Sequence, residues 1–210
     1  MVILSEIQYH PPIAFFAQLI GAEKLLLEAH EHYRKQTYRN RCLILTAQGV
    51  HPLTVPVVDG NRSEKVKTSA LEIDYRQNWI HRHWRTLQTA YGGTPYFEYY
   101  ADYLRDIYVQ KPALLFDLNL AFLRFYLRCL RLRLPVELTA EYQPTSPLRH
   151  SATSLLDRRD ALTPKGTAAS QPDRTSVRPY AQSFGNVFVS GLSILDLLFV
   201  QGPAAGNFLA

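Results

Sequence analysis

The feature that most constrains the fold is a strand, a helix and a second strand within the first thirty residues. Residues 2–9 form a short alternating apolar run that stops before Pro11 and Pro12. Pro12 suits the first position of a helix, where its missing N–H costs no hydrogen bond. Residues 13–20 then carry apolar side chains at helical spacing, and residues 24–29 are a compact apolar run. This order predicts an α/β unit.

A β-hairpin is predicted immediately after this unit. Two apolar runs, residues 41–47 and 50–58, flank Gln48-Gly49, which is typical of a tight turn. Pro56 cannot donate to a strand ladder, which places the second strand at an edge or a bulge. Residues 71–75 are a further candidate for a short strand.

Three helices are predicted between residues 78 and 133. Asn78 is a suitable N-cap for the first, which ends at Tyr91 before two glycines. The second opens with Thr94-Pro95 and runs to about residue 110, and the third extends from residue 112 to near 133. In the third helix four charged residues share one face, which we interpret as a solvated stripe on a core helix, with a phosphate-binding or partner-binding face as the alternative. They are Asp117, Arg124, Arg128 and Arg131.

The last third of the chain changes in character. Residues 136–138 are a candidate strand, and residues 163–178, rich in Pro, Gly, Ser and Thr, predict a long flexible loop. A final apolar helix has a capping-box pattern, Ser193 and Asp196, and ends at Gly202-Pro203. We therefore predict an α/β single domain with a small mixed sheet in the N-terminal half, a helical layer at about 78–133 and a C-terminal helix that packs back on the core. An α+β fold with segregated sheet and helices is the alternative.

Composition excludes several classes of protein. Of 210 residues, 47% are hydrophobic and 20% are charged, which disfavours disordered, collagen-like and coiled-coil chains. The net charge of +5 permits an acidic partner but requires none.

Cys42 and Cys129 lack the spacing of a disulfide scaffold or a zinc site. No apolar run is long enough for a transmembrane segment and no signal peptide is recognised, so we expect a cytoplasmic protein. The dinucleotide, P-loop, α/β-hydrolase and zinc-protease motifs are absent.

The densest polar segment, residues 28–41, predicts a pocket for an anionic small-molecule substrate. Guanidinium groups bind carboxylates and phosphates bidentately, and tyrosines stack on rings. A basic surface loop is the alternative, and Arg39 has an alternative of its own, as a strut that ties the loop to a buried carboxylate. The residues assigned to this pocket are Lys35, Tyr38, Arg39, Asn40 and Arg41.

The same segment offers a weaker alternative, a metal site. In an extended chain Glu28, His30 and His32 point to one side and would present a carboxylate and two imidazoles. No third histidine has a matching spacing, so we assign no metal.

The helix at residues 78–91 carries the candidate for acid–base catalysis. An unperturbed imidazole titrates near pH 6.5, so His83 is assigned as the general base, and Trp84 and Arg85 are assigned to substrate binding. The alternative is a core histidine, because His83 shares a helix face with Trp79. Basic residues are dispersed among acidic ones along the chain, so no nucleic-acid partner is expected.

Together these segments resemble the WbqC-like protein family over nearly the whole chain. Several blocks occur in the family's order, which makes the resemblance specific. They are Gln8-Tyr9-His10-Pro11-Pro12-Ile13, Lys35-Gln36-Thr37-Tyr38-Arg39-Asn40-Arg41, Leu53-Thr54-Val55-Pro56-Val57, His83-Trp84-Arg85, Pro95-Tyr96-Phe97-Glu98-Tyr99-Tyr100, Asp157 to Lys165, and Leu192 to Phe199 with Gly202-Pro203.

The resemblance implies a place among surface-polysaccharide genes, including O-antigen clusters. It implies a transferase, with transfer of glycine or another aminoacyl group to a sugar as the proposed reaction, and it names no cofactor and no established catalytic residue. A non-catalytic small-molecule-binding or scaffold protein is the alternative. An enzyme should bring six residues to one concave pocket, whereas scatter over separate faces favours the binding protein. The six are His10, Lys35, Arg39, Asn40, His83 and Arg85.

Overall fold

The computed structural model describes residues 1–59, 65–144, 155–164 and 177–209. These residues form strands and helices in the alternating order that the sequence predicts, and the α/β class is confirmed. In chain order the elements are β1 (Val2–Glu6), α1 (Ile13–Gln18), β2 (Lys24–Glu28), β3 (Arg41–Thr46), β4 (Gly49–Thr54), α2 (Trp79–Tyr91), α3 (Phe97–Val109), α4 (Leu115–Cys129), β5 (Val136–Leu138), β6 (Leu155–Asp157) and α5 (Ile194–Gln201).

A parallel sheet with the strand order β5-β2-β1-β6 organises the molecule. The chain moves outward from β1 to β2 and β5, and then returns to the far side of β1 as β6. The strand order therefore reverses between β1 and β6. In open parallel sheets ligands bind outside the carboxyl ends of the strands at this reversal.

The two inner strands are largely apolar before their last residue. Ile3 and Leu25 are at most 1% exposed, as expected for parallel strands that are covered on both faces. Glu6 and Glu28 end these strands side by side in the register, and both are buried. Two buried acids therefore mark the carboxyl edge of the sheet.

The predicted hairpin is confirmed, but it forms a sheet of its own. β3 and β4 pair antiparallel from Arg41 opposite Thr54 to Thr46 opposite Gly49. Gly49 has φ 100°, a conformation that the tight turn requires and that glycine adopts without strain. The strands are thus divided between a parallel and an antiparallel sheet, and β5 and β6 come from the C-terminal half because parallel pairing needs long crossover connections.

The prediction of a strand at residues 71–75 is wrong. This segment makes only single bridges, Val57 to Ile73 and Glu72 to Leu114. Pro56 and Pro112 lie in the two segments that pair with residues 71–75. Because proline cannot donate a ladder hydrogen bond, the pairing does not extend.

The helices α2, α3 and α4 form the predicted helical layer, and α2 has the predicted bounds, whereas α3 and α4 start later than the sequence suggested. Asn78 occupies the N-cap position of α2 without a side-chain cap hydrogen bond. The N–H of Tyr96 donates to the carbonyl of Phe199 at 3.0 Å, so α3 begins at Phe97 and Thr94 does not cap it. Arg124 and Arg128 of α4 are exposed, in agreement with a solvated stripe.

The C-terminal helix α5 packs back on the core, as predicted. Ser193 accepts a hydrogen bond from the N–H of Leu195 at 3.3 Å, but Asp196 does not complete a capping box. Its carboxylate instead accepts from the hydroxyls of Tyr91 at 2.9 Å and Tyr180 at 2.5 Å. Most of the loop predicted at residues 163–178 lies outside the described residues. Among the described helices, none has the length and apolarity that a membrane crossing requires.

Candidate functional site

Arg39 is the centre of an ionic cluster beside the carboxyl end of β1. Its Nε and Nη2 each donate to a carboxylate oxygen of Glu31 at 2.7 Å, and its Nη1 donates to Asp160 at 2.9 Å. Burial acts to lower the pKa of Arg39, but the hydrogen bonds to Glu31 and the charges of Glu6 and Asp160 outweigh it and raise the pKa. Because the guanidinium is 1% exposed and bound by two carboxylates, it acts in this structure as an internal strut.

Glu6 and Gln8 place buried hydrogen-bond acceptors at the β1–β6 reversal. The Gln8 amide nitrogen donates to Glu6 at 2.7 Å, and the backbone N–H of Asp160, just beyond β6, donates to Glu6 at 3.1 Å. Burial raises the pKa of Glu6, opposed by the charge of Arg39. The bond to Glu6 fixes the orientation of the Gln8 amide, and its oxygen has no hydrogen-bond donor within the described structure. An unsatisfied buried acceptor beside a carboxylate with a raised pKa makes this place a candidate ligand site.

A second ionic group lies along the same edge, at the carboxyl ends of β2 and β6. Glu28 accepts from the hydroxyl of Thr139 at 2.9 Å and from Arg159 at 3.3 Å. Arg159 also binds Asp157, with Nη2 at 2.5 Å from Oδ2. With Arg34, which binds Asp160, the described residues of the edge supply three guanidinium groups and five carboxylates, the latter from Glu6, Glu28, Glu31, Asp157 and Asp160. The excess of carboxylate favours a cationic or hydroxyl-bearing ligand over a phosphate.

A chain of hydrogen bonds runs through the core from the residues that follow Gln8. Tyr9 bonds His83 Nδ1 at 2.9 Å and the hydroxyl of Tyr108 at 2.6 Å, and Tyr108 bonds His10 Nε2 at 2.6 Å. The other ring nitrogen of His10 bonds the hydroxyl of Tyr126. All five side chains are at most 6% exposed. Two of them, His10 and His83, are therefore brought together by the fold, with tyrosines between them.

The direction of the hydrogen bonds in this network follows from the protonation of its two histidines. Burial lowers the pKa of His83 to about 4, although a hydrogen bond to the Thr54 carbonyl raises it. Burial likewise lowers the pKa of His10 well below its ordinary value, so both imidazoles are neutral near pH 7. His83 donates one N–H to Thr54, and its Nδ1 therefore accepts from Tyr9. Each successive hydroxyl or imidazole then donates in the same direction, from Tyr126 through to His83.

The other predicted site residues are distributed around this core. Lys35 is half-buried, and Tyr38 is buried with its hydroxyl 3.4 Å from the Gly191 carbonyl. Asn40 donates to the Val55 carbonyl at 2.9 Å, and Arg41 donates to Thr54 at 3.2 Å. These contacts hold the 35–41 segment against the hairpin.

The helix residues assigned to substrate binding face outward. Trp84 is half-buried, with its ring centroid 6.1 Å from that of Phe97, and Arg85 is exposed in a shallow depression that it shares with His51. Around the described residues, no cavity is lined jointly by the six residues that we expected to meet in an enzyme pocket.

The metal alternative does not form. Glu28 is occupied by Thr139 and Arg159, His30 Nε2 bonds the Thr139 carbonyl at 3.0 Å, and His32 is exposed. Across the described ranges, no three His, Cys, Asp or Glu side chains are grouped to hold a metal ion.

Comparison with known proteins identifies the family. The model of the WbqC-like protein family matches residues 7–208. The chain belongs to the WbqC-like protein family. Uncharacterized protein Rv1507c of Mycobacterium tuberculosis is similar to it, with 28% identity over an alignment that covers 99% of this chain and 96% of that protein. No solved structure matches the chain.

Sequence reasoning missed several candidate functional residues of this WbqC-like protein. Glu6 gave a usable signal, since it is a carboxylate within the apolar segment 2–9 that the pattern predicts to be a strand. Gln8 and Tyr9 stand beside His10 in the family's opening block. Asp160 lies in the family block Asp157 to Lys165, but neither it nor Tyr108 gave a signal of its partners, because only the packing of α3 and the return of β6 bring them together.

Proposed function

We propose that this WbqC-like protein is a transferase that acts on a sugar intermediate of bacterial surface polysaccharide. Membership of the WbqC-like family supports the pathway, and the carboxylate-rich edge of the parallel sheet supports the chemistry. An aminoacyl group such as glycine carries an ammonium, and a sugar carries hydroxyls or an amine. All of these are donors that match the acceptors at the edge.

One observation carries the proposal: Glu6 and Gln8 meet as buried acceptors at the β1–β6 reversal. A carboxylate whose pKa is raised by burial accepts a proton near neutral pH better than an ordinary glutamate does. The neighbouring amide oxygen, which lacks a donor within the described structure, accepts a hydrogen bond from the same reacting group. Together they orient an amine or hydroxyl and take its proton.

The transfer step is an acyl substitution. Glu6 removes a proton from the acceptor amine or hydroxyl while its N or O bonds to the acyl carbon of an activated donor. The bond from that carbon to the leaving group breaks, and Glu6 returns the proton to the leaving group. Glu6 is 1% exposed and accepts from the backbone N–H of Asp160 at 3.1 Å, so the step requires the segment at Asp160 to move aside.

Glu6 is a better candidate than His83 for the proton transfer. Burial lowers the pKa of His83 to about 4, which weakens it as a base, whereas burial raises the pKa of Glu6. Both nitrogens of His83 are also engaged, with Tyr9 and Thr54. We therefore propose that His83 holds Tyr9, and with it the strand-end segment, in position. The catalytic role assigned to His83 from the sequence stays a prediction. It would be supported if a His83→Gln variant lost activity but kept the native melting temperature.

Gene deletion followed by mass analysis of the cell-surface glycan tests the pathway. The deletion should remove from the glycan a substituent whose mass is that of an acyl or aminoacyl group. An unchanged glycan would contradict the proposal. Complementation then tests the residue. Glu6→Gln, which keeps the shape of the side chain but loses the base, should fail to restore the substituent, whereas Glu23→Gln at a 77% exposed position should restore it.

A non-catalytic binding protein is the second candidate. The observation in its favour is that the six predicted pocket residues do not share a cavity in the described structure, and that Arg39 is bound by Glu31 and Asp160. In that case Glu6→Gln would restore the glycan as well as the unaltered gene does, although the deletion abolishes the substituent.

A further inference from the structure

A cavity of about 670 Å³ lies between α2 and α3, away from the edge of the parallel sheet. We call it the α2–α3 pocket, and it falls within the size range of small-molecule sites. It was not predicted from the sequence, and of the residues assigned to substrate binding only Trp84 lines it. Its principal lining residues are Tyr75, His81, Trp84, Arg105, Tyr108 and Lys111.

The aromatic part of the pocket is fixed in position. Tyr75 donates its hydroxyl to the Pro112 carbonyl at 2.7 Å, which holds its ring, and Trp84 is half-buried. Trp79 lies 5.9 Å from the rings of both Tyr75 and Tyr108. The indole N–H of Trp79 is buried with no acceptor among the described residues. Fixed aromatic faces bind planar rings at a small cost in conformational entropy.

The charged part of the pocket is entirely basic. Arg105 and Lys111 are exposed, and neither makes an ion pair with a described residue. Arg76 is the third cation, held by Asp74 through Nε and Nη2 at 2.9 Å. No carboxylate is among the described residues that line the pocket. Arg76 is thus neutralised by Asp74, whereas Arg105 and Lys111 are two cations that no described carboxylate neutralises, and such cations favour an anionic ligand.

Lys111 occupies a position that would suit glycine. It follows the C-terminus of α3 with φ 45°, in the left-handed region that L-residues adopt at a cost and that helix ends usually assign to glycine. A strained backbone that retains a cation in a pocket is a reason to look for a ligand of that cation.

From these observations we propose that the α2–α3 pocket binds a ligand with a planar ring and a diphosphate, the chemistry of a nucleoside diphosphate. The ring lies against Trp84 and Tyr75, and Arg105 and Lys111 bind the phosphates. The proposal rests on the lining of this pocket and not on the transfer chemistry proposed for Glu6, so either can fail without the other.

Intrinsic fluorescence measures the binding directly. Trp79 and Trp84 are the two tryptophans of the chain, and only Trp84 lines the pocket. Titration with uridine diphosphate or adenosine diphosphate should quench the emission in a saturable manner, and Trp84→Phe should abolish most of the change. Uridine alone and pyrophosphate alone should each bind at least tenfold more weakly than the diphosphate nucleotide, because each makes half of the contacts.

Two glycine substitutions provide a matched pair. Lys111→Gly removes a pocket cation and relieves the backbone, so the melting temperature should stay equal or rise while the Kd for the nucleotide increases about tenfold. Arg131→Gly makes the same change after α4, where φ is 56° and the side chain lines a different groove. It should leave the Kd within twofold.

Each alternative result overturns the proposal. Equal weakening by both glycine variants would show attraction to the net charge of the protein. Binding of pyrophosphate as tight as that of the nucleotide would show a phosphate site without ring recognition. No saturable quenching up to millimolar nucleotide, with Trp84 still solvent-accessible to iodide, would exclude the site.

Discussion

Arg39 and Glu31 form a buried bidentate ion pair, with both nitrogen–oxygen distances at 2.7 Å. Their side chains are 1% and 9% exposed, so water screens the attraction weakly. The two residues are only eight positions apart, which means that the pair closes the loop between β2 and β3 on itself. The loop is thereby tied to Asp160 beyond β6 as well.

Arg39→Ala should destabilise the protein strongly. Removal of one partner leaves Glu31 buried without its counter-ion, which costs about 3–5 kcal/mol and, for a chain of this size, lowers the melting temperature by roughly 10 °C. Arg34→Ala is the control, because Arg34 also binds Asp160 but is 63% exposed, and its loss should cost at most about 1 kcal/mol. Similar thermal denaturation curves for the two variants would contradict the role of Arg39 as a strut.

His83 should make stability depend on pH below neutrality. Its pKa is about 4 in the folded protein against about 6.5 in the unfolded chain, so the unfolded state takes up more protons between these values. The stability that neutral His83 provides is complete above about pH 6.5 and is lost as the pH falls toward 4. The advantage of the unaltered protein over His83→Gln in free energy of unfolding should therefore shrink by about 2 kcal/mol between pH 7 and pH 5. Urea denaturation at both pH values measures it, and a constant difference would show that folding does not lower the pKa of His83.

Gly202 and Gly191 should respond differently to alanine. Both have positive φ, 55° and 76°, so each substitution costs about 1–2 kcal/mol of backbone strain. A Cβ at Gly191 meets nothing within 4 Å, whereas a Cβ at Gly202 overlaps the ring of Tyr96. Gly202→Ala should therefore cost a further 1–3 kcal/mol or so, visible as a lower urea midpoint than that of Gly191→Ala. Equal midpoints would mean that the Tyr96 ring moves freely.

Tyr180→Phe should loosen the anchorage of the C-terminal helix. The Tyr180 hydroxyl donates to Asp196 at 2.5 Å, and burial already raises the pKa of that carboxyl. Loss of a hydrogen bond to a charged group costs about 1.5–3 kcal/mol. Tyr99→Phe, at a 64% exposed position, should change the free energy of unfolding by less than about 0.5 kcal/mol. Chemical denaturation of both variants would decide it, and a neutral Tyr180→Phe would indicate that Tyr91 suffices to hold Asp196.

Local patterns in the sequence determined the secondary structure and much of the core. The β1-α1-β2 unit, the hairpin around Gly49 and the three central helices follow from apolar periodicity and from turn residues, which act over a few positions and need no knowledge of distant contacts. The predicted ends of the helices were less accurate where a residue distant in sequence binds the helix terminus. The N–H of Tyr96 donates to the Phe199 carbonyl, and α3 therefore begins later than predicted.

The tertiary structure alone decided which charges meet. Lys35, Arg39 and Arg41 read as one basic group in the sequence, yet Glu31 and Asp160 surround Arg39, and Arg41 turns to Thr54. The return of β6 beside β1 brings Asp160 from 121 residues away, and the packing of α3 brings Tyr108 to Tyr9 from 99 residues away. Hydrogen bonds and Coulomb forces act over a few ångströms, so their partners are set by the path of the chain in space. No periodicity in the sequence encodes that path, and the proposed sites at Glu6 and between α2 and α3 became visible only with it.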